Sequence, residues 1–353
     1  MIKLTWSEPQ TIADVRDRVQ TAIDLEFSTL PIYLYAKMTI LPGTNAAAME
    51  RYNSIVLEEM IHMCLASNIM NAIGGTVKIN PPKFPGPLPG KLIHSKSFDL
   101  LPFGHKAVQQ GRDIEEPEGR VEPIEKMAFA VEDDAPVTIG QYYALLDAEL
   151  AKLADDAWQP GRNQIDDAQF FQGQIYAVNN YADAKRAIHD IVSEGEGTPV
   201  TPPDPEKDQP ANPGSPLDFE NQLAHYYRFW EIEKDRVLEK NPGGSPEEQW
   251  AWGGPLGVDW EAVYPAIHNP QCRDFKNDPP EAQAAQAECN AAFTGLVDGL
   301  TEAFAGGIGG MGRAVRAMFD LRMAAIKALN TPLVDGHSVA GPAFKYIGKG
   351  DAA

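Results

Sequence analysis

The run Ile55-Val56-Leu57-Glu58-Glu59-Met60-Ile61-His62-Met63 sets a carboxylate and an imidazole three residues apart on a helical stripe that is otherwise apolar. At 3.6 residues per turn Val56, Glu59, His62, Met63, Ala66, Ile69 and Ile73 share one face, so Glu59 and His62 point where a core belongs. Burying an uncompensated carboxylate costs roughly several kcal/mol, so a fold that accepts this helix must bring a cation or strong donors to it. Glu-x-x-His on a helix is the ligand unit of carboxylate-bridged dinuclear iron or manganese sites in four-helix bundles. The zinc-protease pattern His-Glu-x-x-His is excluded, because its first histidine would fall where the chain has Glu58. Glu58 lies about a hundred degrees round the helix from Glu59, which predicts a solvated side chain.

Other stretches supply helices to complete such a bundle. Residues 12–39 read as one long helix carrying Glu26 among Ala22, Leu25, Leu30 and Tyr33. Pro31 removes the donor for the carbonyl of Phe27, which predicts a kink or bulge close to Glu26. Tyr33, two turns from Glu26, is placed to donate a hydrogen bond to a ligand. The helix over 46–73 stops at Gly74-Gly75, a C-terminal signal. Residues 80–118 begin with Pro-Pro-Lys-Phe-Pro-Gly-Pro-Leu-Pro-Gly and read as an ordered loop or small ribbon able to cover a pocket.

Helical patterning returns over 138–154 and 182–193, followed by a polar Pro-rich crossover at 198–216 and an amphipathic stretch, 221–237, that carries His225. Residues 241–280, rich in Gly, Pro and Trp, read as irregular cover, and 282–329 as helix interrupted at Gly306-Gly307-Ile308-Gly309-Gly310. The expected architecture is all-α. A bundle spans residues 12–240 with insertions at 80–118 and 198–216, and a C-terminal extension spans 241–353.

Fifty acidic against 30 basic residues give a formal net charge of −20, which argues against nucleic acid and anionic membrane as partners. The apolar runs are too short to span a bilayer and the N-terminal residues lack a secretory core, so a cytoplasmic protein is expected. Cys64, Cys272 and Cys289 form neither a disulfide framework nor a Cys-x-x-Cys knuckle. Cys64, in the motif helix, reads as a packed thiol.

Several motifs, taken in order, resemble the ferritin-like proteins related to the iminophenylpyruvate dimer synthases of violacein- and rebeccamycin-type bisindole biosynthesis. They are Ala22-Ile23-Asp24-Leu25-Glu26-Phe27-Ser28-Thr29-Leu30-Pro31-Ile32-Tyr33, Glu58-Glu59-Met60-Ile61-His62-Met63, Ile114-Glu115-Glu116-Pro117-Glu118, Thr138-Ile139-Gly140-Gln141-Tyr142-Tyr143, Ser193-Glu194-Gly195-Glu196-Gly197 and His225-Tyr226-Tyr227-Arg228-Phe229. The resemblance implies a ferritin-like four-helix bundle with long ordered loops and a C-terminal helical extension. It also implies a non-haem centre of two iron ions, with manganese as the alternative. Glu26, Glu59, His62, Glu196 and His225 match the family's acidic and histidine motif residues. Two acids, Glu194 and Glu196, at a helix C-terminus oppose the helix dipole, which is unfavourable unless a cation is near.

The chain departs from a strict di-iron pattern at Gln141 and Gln222, where carboxylates would stand. Either Gln141 is a ligand of this branch and Glu196 replaces the acid expected at 222, or Asp147 or Glu149 substitutes, or the site holds one metal or none. Carboxylates with imidazoles suit iron or manganese and support oxidative chemistry. The expected function is oxidative coupling of imine or amino-acid-derived units, or hydroxylation, of a small organic substrate in specialised metabolism. An amino-acid oxidase would supply the imine, and a homo-oligomer is compatible. A metal-binding or non-catalytic scaffold and a manganese catalase-like activity are the alternatives.

Overall fold

The computed structural model describes residues 4–89, 97–116, 135–166, 173–196, 217, 222–241, 243, 250–307 and 309–348, and the statements below concern these. Eight α-helices carry the fold: α1 (Ile12–Met38), α2 (Ala46–Ala72), α3 (His105–Ile114), α4 (Ile139–Leu150), α5 (Tyr181–Glu196), α6 (His225–Lys234), α7 (Pro280–Phe304) and α8 (Gly310–Leu329). Two short antiparallel pairs accompany them. β1 (Leu4–Trp6) sets Leu4 opposite Val137 of β2 (Ala135–Val137), and β3 (Arg236–Lys240) pairs with β4 (Trp250–Pro255).

The first two helices are the long, continuous ones. Thr11 and Asp14 form a reciprocal capping box that starts α1. The helix then stays α-helical through Pro31, so the bulge expected near Glu26 does not form. The hydroxyl of Ser28 donates to the carbonyl of Asp24, giving that group a further partner in the turn before the proline. At the far end of α2, Gly74 adopts φ +73°, its N–H bonds to Asn71 O, and Gly75 N–H bonds to Met70 O. This is a Schellman closure that a residue with a β-carbon would strain.

Against this pair the other half of the bundle is assembled from shorter pieces. Both α3 and α4 pack on α1, both α5 and α6 pack on α2, and α3 faces α6 as α4 faces α5. The third and fourth positions of the bundle are thus each filled by two short helices. Where α3 meets α6 there is no space for a side chain: a β-carbon on Gly111 would sit 2.7 Å from the Phe229 ring. Phe229 is held in turn by Tyr33 and Tyr52, with ring centroids 5.1 and 5.6 Å away.

Three expectations about elements change. The 80–118 segment contains a helix, α3, whose Ala107, Val108, Gly111 and Ile114 are buried. The preceding prolines hide this ten-residue repeat. The 221–237 stretch is helical only from His225 to Lys234, because Asp235 turns left-handed (φ +52°) and the chain continues as β3. Its partner β4 lies inside the segment read as irregular cover. The Pro-rich crossover at 198–216 falls outside the described residues.

The C-terminal extension is a helical hairpin. Gly309 takes φ +82° between α7 and α8, and a β-carbon on Gly310 would lie 2.4 Å from Ala303 N, so the break read at 306–310 is a close turn. The hairpin docks on the bundle through Phe293, whose ring stacks on Phe27 of α1 at 6.2 Å. Among the described residues no helix is long and apolar enough to cross a membrane.

Candidate metal centre

Glu26 from α1, and Glu59 and His62 from α2, meet inside the bundle, all at most 5 % exposed. Their ligand atoms lie within 4.8 Å of one another, and so do those of a second trio, Glu59, Glu115 and His225. Glu59 belongs to both trios. Its Oε1 is 3.8 Å from His62 Nδ1 and 3.0 Å from His225 Nδ1. Glu26 Oε2 stands 3.5 Å from His62 Nδ1, and Glu115 Oε2 stands 3.7 Å from His225 Nδ1. The two imidazoles face each other with centroids 5.5 Å apart and planes inclined by 26°. A shared carboxylate thus has a histidine and a terminal carboxylate on either side.

The far side of each ligand is tied down. His62 Nε2 lies 2.7 Å from Glu194 Oε2, and His225 Nε2 lies 2.9 Å from Glu58 Oε2. Arg228 closes on both oxygens of Glu58 at 2.8 and 2.7 Å. An outer carboxylate that accepts Nε2–H fixes the tautomer that leaves the Nδ1 lone pair for a metal. Each central carboxylate also has one oxygen held by a hydroxyl: Tyr143 donates to Glu26 Oε1, Thr29 to Glu59 Oε2, and Tyr33 to Glu115 Oε1. The oxygens left over are the ones that face the histidines.

The electrostatics call for a cation. Burial and the charges of Glu115 and Glu26 push the Glu59 carboxyl up to about 7 despite its contacts with His225. Burial opposes charge on both imidazoles, yet their carboxylate neighbours raise His62 and His225 well above the usual histidine range. Burial also opposes ionisation of Glu58, but the hydrogen bond and charge of His225 and the Arg228 guanidinium hold it down at about 2. Glu58 is therefore an anion with its own counter-ion, whereas the central acids have none among the described residues except the histidines. Tyr33 and Tyr143, raised well above the ordinary phenol range by burial and by adjacent carboxylates, are neutral donors.

The donor set fits a dinuclear metal site. His225 Nδ1 is fully buried and lacks an aligned hydrogen-bond partner, although Glu59 Oε1 is close by, as expected of a nitrogen aimed at a metal position. Three carboxylates and two imidazoles, all oxygen and nitrogen donors, match iron or manganese better than a thiolate-seeking metal. A cavity of about 30 Å³ lies among Glu26, Glu59, His62, Glu115, Tyr143 and Gly195.

The sequence-derived set is redistributed by this geometry. Glu26, Glu59, His62 and His225 converge as expected. The Glu196 side chain lies outside the described residues, and the acid of that motif seen at the centre is Glu194, which touches His62 on its outer nitrogen. Glu115, absent from the sequence-derived set, joins Glu59 and His225, and it stands in the Ile114-Glu115-Glu116-Pro117 motif that carries the family resemblance. Glu58 is not solvated: it is 6 % exposed, because His225 and Arg228 of α6 cover its side of α2. The Gln141 side chain accepts from Thr138 N–H at 3.0 Å in the capping box of α4 and is not among the converging groups. Gln222 is exposed, and Glu149 is engaged by Lys152 at 2.7 Å. Cys64 is packed, with burial raising its thiol to about 12.

A helical bundle that gathers buried carboxylates and histidines from several helices around a shared glutamate defines a class of carboxylate-bridged metal proteins. A family model described as Ferritin-like matches residues 19–234, more than half of the chain, and the protein belongs to that family. The fold is similar to the crystal structure of a ferritin like protein from Caulobacter vibrioides. The two align with a TM-score of 0.61 and 21 % identity over 94 % of this chain and 98 % of that one. Among curated protein sequences none matches the chain.

Proposed function

We propose that the protein is a dinuclear non-haem metal enzyme, with iron as the metal, that performs oxidative chemistry on a small molecule. The observation that carries this reading is the sharing of Glu59 between two histidine–carboxylate pairs, with the buried Nδ1 of His225 left without an aligned partner. Glu26 and His62 would hold one ion, Glu115 and His225 the other, and Glu59 would bridge. When bound, such a pair supplies redox equivalents for activating dioxygen or peroxide.

The chain's own residues do the rest. Glu194 and Glu58 orient the imidazoles, and Thr29, Tyr33 and Tyr143 hold one oxygen of each carboxylate. Ile114, Ile139, Ile191 and Leu25 wall the cavity and keep bulk water from it. The neutral phenol of Tyr143, fixed on Glu26, sets a protein proton at that side of the cavity. For the substrate, the family resemblance suggests an imine or amino-acid-derived unit delivered by an amino-acid oxidase, coupled or hydroxylated here.

A second reading draws support from the small cavity. About 30 Å³ admits a reactant of the size of water or peroxide, which favours peroxide disproportionation with manganese. Loading the purified chain with iron or manganese and measuring oxygen uptake, hydrogen peroxide consumption and metal content separates these. The oxidative reading expects about two irons per chain and iron-dependent oxygen uptake that vanishes in Glu59→Ala. Rapid peroxide dismutation with manganese alone would replace it with the second reading. No bound metal of either kind would leave a scaffold.

A further inference from the structure

A strongly apolar cavity that the metal chemistry does not use lies on the other side of α1 and α2. A cavity of about 460 Å³ separates these helices from the α7–α8 hairpin. It shares no lining residue with the metal cavity, even where the two sets are neighbours in sequence: Phe27 follows Glu26, and Met63 follows His62. Its volume falls within the range of about 300–1,000 Å³ typical of small-molecule sites.

The walls are apolar and pliant. Leu30, Leu34, Phe293 and Leu296 contribute fixed surface, and Met38, Met60, Met63, Met311 and Met318 contribute side chains that adapt to an occupant. Leu57 and Phe319 border the space and are 41 and 64 % exposed, so it opens to solvent beside them. Two cations also line it, Lys37 and Arg322. They stand close enough for Arg322 to lower the Lys37 ammonium, after the larger effect of burial. Neither has an ion-pair partner among the described residues.

In a chain with 50 acids and 30 bases, two neighbouring cations with no ion pair among the described residues stand out. The C-terminal dipole of α1 accounts for Lys37 in its last turn, but Arg322 lies within α8, far from such an end. What satisfies both the walls and the mouth is one amphipathic anion, apolar along its length and carrying a carboxylate at one end.

We infer that this cavity is a binding site for a long-chain carboxylate of the fatty-acid class, with its tail against the methionine-rich walls and its head between Lys37 and Arg322. The site is independent of the metal centre.

The test is a fluorescence titration of the full chain with dansyl-undecanoate, followed by displacement with dodecanoate, dodecanol or dodecylammonium below their aggregation limits. One saturable site of about micromolar affinity is expected, from which dodecylammonium displaces the probe at least about tenfold less well than dodecanoate. Replacing both cations (Lys37→Gln with Arg322→Gln) should weaken dodecanoate by about tenfold and leave dodecanol nearly unchanged. Val315→Trp, at a half-buried lining position, should abolish binding of all three while metal content stays as in the parent. The inference is overturned by the absence of saturable binding, by equal displacement with dodecylammonium, or by parent-like binding in Val315→Trp. It is equally overturned if dodecanoate fails to bind and the chain is a dimer that Val315→Trp dissociates, which would give this face to a second copy.

Discussion

The two halves of the bundle place their buried acids and histidines by different means. In α1 and α2, Glu26, Glu59 and His62 project from the interiors of 27-residue helices, each position backed by turns on both sides. In the other half Glu115 caps the C-terminus of α3, Glu194 lies in the last turn of α5, and His225 is the first residue of α6. Ligands within a helix are fixed by its whole hydrogen-bond ladder. Those at ends depend on neighbouring contacts such as Tyr33 on Glu115 and the Arg228–Glu58 pair on His225. The continuous half acts as the frame, and the divided half closes on it.

The strongest test of this arrangement is Glu59→Ala, the shared residue, which is expected to empty both metal positions, from about two ions per chain to almost none by elemental analysis. Glu115→Ala comes next and should cost about one ion, on the His225 side, while the Glu26–His62 position stays loaded. Loss of both ions in Glu115→Ala would show that the halves are not separable. Glu194→Gln and Glu58→Gln leave the ligands in place and should weaken metal binding by about 10–100-fold, read by competition with a chelator.

Acidity gives a milder, graded effect. In the metal-free protein the Glu59 carboxyl, at about 7 against 4.5 for a free side chain, stays protonated in the fold where the unfolded chain ionises. Its contribution to metal-free stability is complete below 4.5 and is lost as pH rises towards 7, and the raised histidines act in the same direction. The Tm of metal-free protein should therefore fall over that window while metal affinity rises, with protons released on loading. The smallest expected change is Tyr143→Phe, which removes one hydrogen bond to Glu26 and should lower affinity on that side by about 2–10-fold.

The same contrast explains what could be read in the residues alone. Glu26, Glu59 and His62 were legible because a charged group on an apolar period stands out, and the α7–α8 hairpin because its glycines interrupt one. Glu115 stands at a helix end preceded by prolines, where no period marks a face as inner. Between Glu194 and Glu196 the dipole argument identified the need for a cation without selecting the residue. Glu58 sits off the apolar period of α2, and nothing in the period shows that α6 brings His225 and Arg228 onto that face. Gln141 drew attention as a ligand while serving as a cap, a role that Thr138 three residues earlier announces.

The absent methyl at Gly111 reaches further than local packing. Phe229 presses on that α-carbon four residues before Glu115 and four after His225, so the thickness of one aromatic ring gauges the gap between the jaws that carry those two ligands. The spacing of Glu115 and His225 is thereby set at the α3–α6 contact, one helical turn from each of them.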